Sequence, residues 1–207
     1  MSPVEISIFD NGTVQRGLKR RIMEVHTYSL EDGRTLNIRE ANQDDAELLA
    51  KFLPEAFEET DCLLMTRHEF DQSIEQEVDF LGKLSASKTQ LALVALVDST
   101  LVGILTFTGR DLERVRHTGE VGLIISKNYW SIGIGKHMMQ CLHLWADKGN
   151  LISKIDLRVR LSNRRAIKLY ERLGYQIEGW IRRAVKIGDT YDDHYWMGKE
   201  RPFNDRL

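Results

Sequence analysis

Residues 90–109 read QLALVALVDSTLVGILTFTG, and this stretch limits the fold more than any other. Its first arm, 91–97, is apolar at every position. A strand of that kind is stable where both faces are covered, so helices must lie on both sides of the sheet it joins. The turn Asp98-Ser99-Thr100 then returns a second apolar arm beside the first. The run is far too short to span a bilayer, which takes about 20 apolar residues.

The covering helices are legible. Leu49, Phe52, Leu53 and Ala56 recur at helical spacing, with Asn42 as N-cap and Asp45 three residues on. Pro54 is expected to kink or end that helix. A second amphipathic helix runs through Ile74, Val78, Leu81 and Leu84. Residues 120–126, EVGLIIS, form a buried strand. A glycine loop follows, then a helix with Met138, Met139, Leu142, Trp145 and Ala146 on one side, closed by Gly149. KIDLRVRL is a strand, and the next helix carries Ala166, Leu169, Tyr170 and Leu173 on one stripe, stopped by Gly174. Two strands around Gly188-Asp189 end the chain. Residues 1–34 read as a β-rich extension with hairpin turns at Asn11-Gly12 and Asp32-Gly33. The class is one mixed α/β domain over residues 35–207 behind that extension.

With 207 residues, 42% of them hydrophobic, the chain can bury a full core. A formal net charge of −2 supplies no global field for nucleic acid. Cys62 and Cys141 make no disulfide framework, and the first residues lack the basic-then-apolar pattern of a secretory signal. A soluble, cytoplasmic protein with no membrane partner is expected. The six histidines form no H-x-x-x-H pair or Cys/His cluster, so no metal is expected.

The chemistry starts at residues 129–136, YWSIGIGK. A P-loop would need glycine at 130 and a hydroxyl at 137, where Trp130 and His137 stand. A dinucleotide fingerprint would need a third glycine at Met138. Gly133 and Gly135 allow the main chain to turn several N–H groups outward, and the helix that follows adds its positive end, which together could cradle a phosphate. The same spacing also serves a tight turn that binds nothing. The loop alone leaves both readings open.

A second motif narrows the choice. The family element [Q/R]-x-x-G-x-[G/A] after a buried strand is matched here by Trp130, Gly133 and Gly135, with Trp in place of Gln or Arg. A separate element, N-x-x-A-x-x-L-Y-x-x-x-G-[FY], is matched in full by Asn163, Ala166, Leu169, Tyr170, Gly174 and Tyr175. On these two motifs the chain resembles the GNAT superfamily of acyl-CoA-dependent N-acetyltransferases. The Trp resembles the branch that includes ribosomal-protein and small-amine acetyltransferases. The resemblance implies a mixed, mostly antiparallel sheet of about seven strands, with helices on both faces. It implies that the fourth and fifth strands splay apart, and that the pantetheine arm of acetyl-CoA runs along Leu123, Ile124 and Ile125. Ser131, Ile132, Gly133, Ile134, Gly135 and Lys136 would hold the pyrophosphate, and Asn163 the pantetheine arm. Asn163 also reads as a plain N-cap. Tyr170 would protonate the departing thiolate, and a main-chain N–H near Ile125 would face the oxyanion.

Amide formation also needs a base for the amine, and Glu120 is the candidate, against a plain strand-end carboxylate. A glutamate that some family members carry five residues before the Asn is replaced by Arg158. His117 is the weaker alternative. The acceptor in the family docks on the first two helices and the last hairpin. Those helices carry Glu55, Glu58, Glu59, Asp61, Glu69, Asp71, Glu75, Glu77 and Asp79, so a cationic amine is expected: a polyamine, an aminoglycoside-like amine or a protein N-terminus. A solvent-facing acidic surface is the plain reading of the same residues. The competing functional reading is a module that binds acetyl-CoA or CoA without turnover. The extension could pair with a sheet edge or a second subunit, which makes a homodimer one arrangement to test.

Overall fold

The structure, a computed structural model, describes residues 23–201. Among the described residues eight strands form one sheet: β1 (His26–Ser29), β2 (Thr35–Glu40), β3 (Gln90–Val97), β4 (Thr100–Gly109), β5 (Thr118–Ile125), β6 (Lys154–Arg160), β7 (Gln176–Ile187) and β8 (Thr190–Glu200). Their order across the sheet is β1-β2-β3-β4-β5-β6-β8-β7, antiparallel throughout except for the β5–β6 pair. Four α-helices of the described residues cover it: α1 (Ala46–Glu58), α2 (Ile74–Ala86), α3 (Ile134–Gly149) and α4 (Arg164–Arg172).

β3 shows why helices lie on both faces. Leu91, Leu93, Ala95 and Val97 join one core cluster with Met138, Met139 and Leu142 of α3 and Ile167 and Tyr170 of α4. The alternating residues Ala92 and Val94 join a second cluster with Leu49, Phe52 and Leu53 of α1 and Leu81 and Leu84 of α2. A two-residue period therefore feeds two cores, and each large side chain buried there stabilises by about 1.5–3 kcal/mol.

The eighth strand is the first arm of the hairpin expected at Asp32-Gly33, where Gly33 has φ +84°. Among the described residues the sheet begins at His26, inside the stretch read as an extension, while the hairpin expected at Asn11-Gly12 lies outside the described residues. Asn42 and Asp45 form a reciprocal capping box over the short 3-10 turn that leads into α1. Pro54 neither ends nor bounds α1, which continues to Glu58. Phe52, Leu53 and Ala56 are buried on either side of it, and that packing holds the helix despite the missing N–H. No described helix is long and apolar enough to cross a membrane.

Candidate active site

β5 and β6 start as parallel neighbours and then separate. Register pairs join Thr118 to Lys154, Gly119 to Ile155 and Glu120 to Asp156, and there the ladder stops. β5 continues to Ile125 along β4, and β6 continues to Arg160 along β8. The edge of β5 over residues 121–125 is left without a strand beside it, so its main-chain groups need another partner. Leu123 and Ile125 pack toward the α3–α4 layer, Ile124 toward α1–α2.

The glycine loop closes the open end. Ser131 and Gly133 both take left-handed backbone, φ +66° and +94°. Gly133 is the N-cap of α3, and no side chain among the described residues caps that helix, so its first-turn N–H groups remain available. Ser131 and Lys136 are exposed and Ile132 is partly buried, whereas the Ile134 side chain is sunk in the core and offers only main chain. A Cβ on Gly135 would lie 3.1 Å from Leu169 Cδ2 and 3.3 Å from Ile125 Cδ1. Gly135 therefore lets α3, α4 and β5 meet, a packing role that the phosphate reading of the glycines did not include.

Trp130 ties these elements together. Its indole N–H donates to the Ile125 carbonyl at 2.6 Å, and the Arg165 guanidinium of α4 lies 3.4 Å from its ring centroid. Asn163 caps α4, accepting from the Ala166 N–H at 3.1 Å. Two turns on, Tyr170 is 9% exposed and edge-on to Tyr175. Its hydroxyl has no hydrogen-bond partner among the described residues and is not sealed from solvent. Burial pushes the phenol up to about 12, with the Arg165 charge pulling the other way.

Glu120 is not a free strand-end carboxylate: its Oε1 accepts from Arg158 Nε at 2.6 Å. The residue that replaces the family glutamate is thus its partner. Arg160, farther along β6, donates through Nε to Asp192 Oδ2 at 2.8 Å and through Nη1 to the Asp61 carbonyl. His194 lies opposite Arg160 in the ladder and is 4% exposed. Burial and the nearby Arg158 charge hold its imidazole below the usual range. The sequence reading passed over His194, although the alternation Asp192-His194-Trp196 places it on one face of β8. His117 is exposed in the connection before β5.

The acidic surface expected on the first two helices is reduced. Glu59 accepts from the Ser126 hydroxyl at 3.0 Å and the Lys127 N–H at 2.6 Å, fastening the end of α1 to the exit of β5. Glu77 is buried on the inner stripe of α2 with Leu81 and Leu84, and desolvation raises it to about 6.

Comparison with known proteins gives the family and the fold. The sequence model described as Acetyltransferase (GNAT) family matches residues 47–175, more than half of the chain. The L-amino acid N-acetyltransferase AaaT of Escherichia coli (strain K12) is 28% identical over 52% of this chain and 66% of its own length. The ribosomal-protein-serine acetyltransferase of the same organism is 27% identical over 46% of this chain and 52% of its own. The chain thus spans between half and two thirds of these curated relatives. The crystal structure of a GNAT-family acetyltransferase from Streptococcus pneumoniae superimposes with a TM-score of 0.78 at 32% identity, over 80% of this chain and 99% of that one. The yncA protein of Salmonella typhimurium, solved with its cofactor acetyl-CoA, shares the fold with a TM-score of 0.71 at 15% identity, over 81% of this chain and 94% of that one. With the divided β5–β6 pair, the uncapped α3 entrance and a family match over most of the chain, the protein belongs to the GNAT family of acetyltransferases.

Proposed function

We propose that the protein is an N-acetyltransferase, moving an acetyl group from acetyl-CoA to a primary amine by direct attack in a ternary complex. The observation that carries this reading is the convergence of three elements: the unpaired edge of β5 at 121–125, the uncapped α3 N-terminus behind Gly133, and the Tyr170 turn of α4. Acetyl-CoA fits them as co-substrate. The edge of β5 suits the amide groups of the pantetheine arm, and the first-turn N–H groups with Lys136 suit the pyrophosphate. We assign residues 35–207 to the transferase domain and 1–34 to an extension from which β1 joins the sheet.

In the reaction the amine nitrogen bonds to the acetyl carbon, the C–S bond breaks, and the sulfur takes a proton. Tyr170 is assigned that proton transfer, since its hydroxyl has no competing partner. The N–H near Ile125 is assigned to the oxyanion. Glu120, with Oε2 uncommitted beside the Arg158 pair, is assigned to the acceptor's amine. Glu55, Asp71 and Asp79 remain exposed on the α1–α2 side and favour a cationic acceptor.

The test is release of free thiol from acetyl-CoA with a panel of primary amines, in wild type and Tyr170→Phe. We expect a fall in kcat of about 10²–10⁴-fold with CoA affinity retained. Tight CoA binding without thiol release by the wild type would instead make the protein a CoA-binding module.

A further inference from the structure

Within the acetyltransferase reading, the attacking amine must shed a proton, and the group that takes it is a separate question from the group that attracts the ammonium. Glu120 has one oxygen bound to Arg158 Nε. On the same face of the sheet lies a row of polar side chains, Arg158 and Arg160 from β6 with His194 and Asp192 from β8. His194 lies opposite Arg160 and diagonal to Arg158. Every carboxylate near it is engaged elsewhere. Asp192 accepts from Arg160 and from the Ser162 hydroxyl at 2.5 Å. Asp193 accepts from the Trp180 indole at 2.8 Å and the Arg183 N–H at 2.6 Å. Asp61, from the α1–α2 connection, reaches Arg160, and the β7 neighbour Ile181 is apolar.

The imidazole is therefore left with no partner for either nitrogen among the described residues. Nε2 is enclosed; Nδ1 is not. The enclosed Nε2 is out of a substrate's reach, whereas Nδ1 is unbonded and open to a polar group that arrives with the substrate. We propose that His194 is the group that accepts the proton from the acceptor amine, at Nδ1, while Glu120 attracts the cationic acceptor. The amine then attacks as the free base, and the imidazolium returns its proton to solvent after the product leaves. Burial holds the imidazole toward its neutral form before substrate arrives, and the nearby Arg158 charge acts in the same direction.

The experiment compares wild type with His194→Gln and His194→Phe in the thiol-release assay, using spermidine, kanamycin, L-amino acids and an unblocked peptide as amines. Wild-type kcat/KM should rise from pH 5.5 to a plateau. His194→Gln should lose about 10²-fold at pH 7.5, lose that limb, and approach wild type as the amine deprotonates by itself above pH 9. CoA affinity, read by calorimetry, should stay unchanged in both variants. A His194→Gln enzyme with the wild-type pH profile overturns the proposal. Histidine-labelled wild type gives a second readout by NMR, which needs no variant and no turnover. His194 should be neutral at pH 7.5, and an imidazolium there overturns the proposal outright. Wild type that binds CoA but releases no thiol with any amine refutes the acetyltransferase reading, whereas thiol release with an unchanged His194→Gln pH profile refutes this proposal alone.

Discussion

Gly133→Ala separates conformational strain from lost space at the loop. Gly133 has φ +94°, a backbone that side chains with a Cβ rarely adopt. An added Cβ would meet nothing closer than His137 Cδ2 at 3.7 Å, an ordinary contact. The cost is therefore torsional, about 1–3 kcal/mol. The variant has two ways to bear it. If the loop keeps its shape, stability falls by that amount, which for a domain of this size is about 2–4 °C in Tm per kcal/mol. If the loop relaxes, the N–H groups of residues 133–136 turn away and CoA affinity falls instead, by about 5- to 150-fold. Thermal melts with and without CoA, combined with calorimetry, measure both routes, and their sum should fall in that interval. Unchanged Tm together with unchanged Kd would refute the reasoning. Gly135→Ala is the contrast. Its Cβ would crowd Leu169 and Ile125 at 3.1 and 3.3 Å, so it should cost about 1 kcal/mol of stability whether or not CoA is bound.

The remaining predictions concern charge and the Trp130 tie. Glu77 is raised in the folded protein from 4.5 to about 6, so the native state binds more protons across that window and stability falls as pH rises through it. The ceiling is about 2 kcal/mol, which residual solvent contact reduces to ~1, so Glu77→Gln should gain roughly 2–4 °C at pH 8 and nothing at pH 4. A gain that does not vary with pH would count against the desolvation account. His143 is the opposite case, held down to about 3 by burial and by the charges of Lys199 and Arg201. The unfolded chain binds its proton first as pH falls below 6.5, so stability should decline between 6.5 and 3, seen as a pH-dependent urea midpoint that flattens in His143→Gln. Trp130→Phe keeps a ring under Arg165 but deletes the donor to the Ile125 carbonyl. It should lose about 1 kcal/mol in urea melts and raise KM for acetyl-CoA, whereas an unchanged urea midpoint would remove the tie from the site.

Periodicity and capping chemistry alone specified much of this molecule. The apolar run 91–97 demanded cover on both faces and found it; the Asn42 cap, the Gly174 stop at φ +86° and the order of strands and helices were all readable. These are local signals, each resting on a few consecutive residues. What the sequence left undetermined depends on residues brought together by strand register. Glu120 meets Arg158 because β5 and β6 are parallel neighbours for only three residue pairs before they part. Glu77 is acidic in sequence and buried in fact because it shares a helix stripe with Leu81 and Leu84. Pro54 survives inside α1 because the core on both sides of it outweighs one missing hydrogen bond. His194 faces Arg160 only once β8 has paired with β6. The sequence by itself determined which segments become strands and helices and which faces they bury, since those follow from spacing along the chain. Only the tertiary structure decided which charged groups meet at the parting of two strands, because that depends on distances across the sheet that no local period encodes.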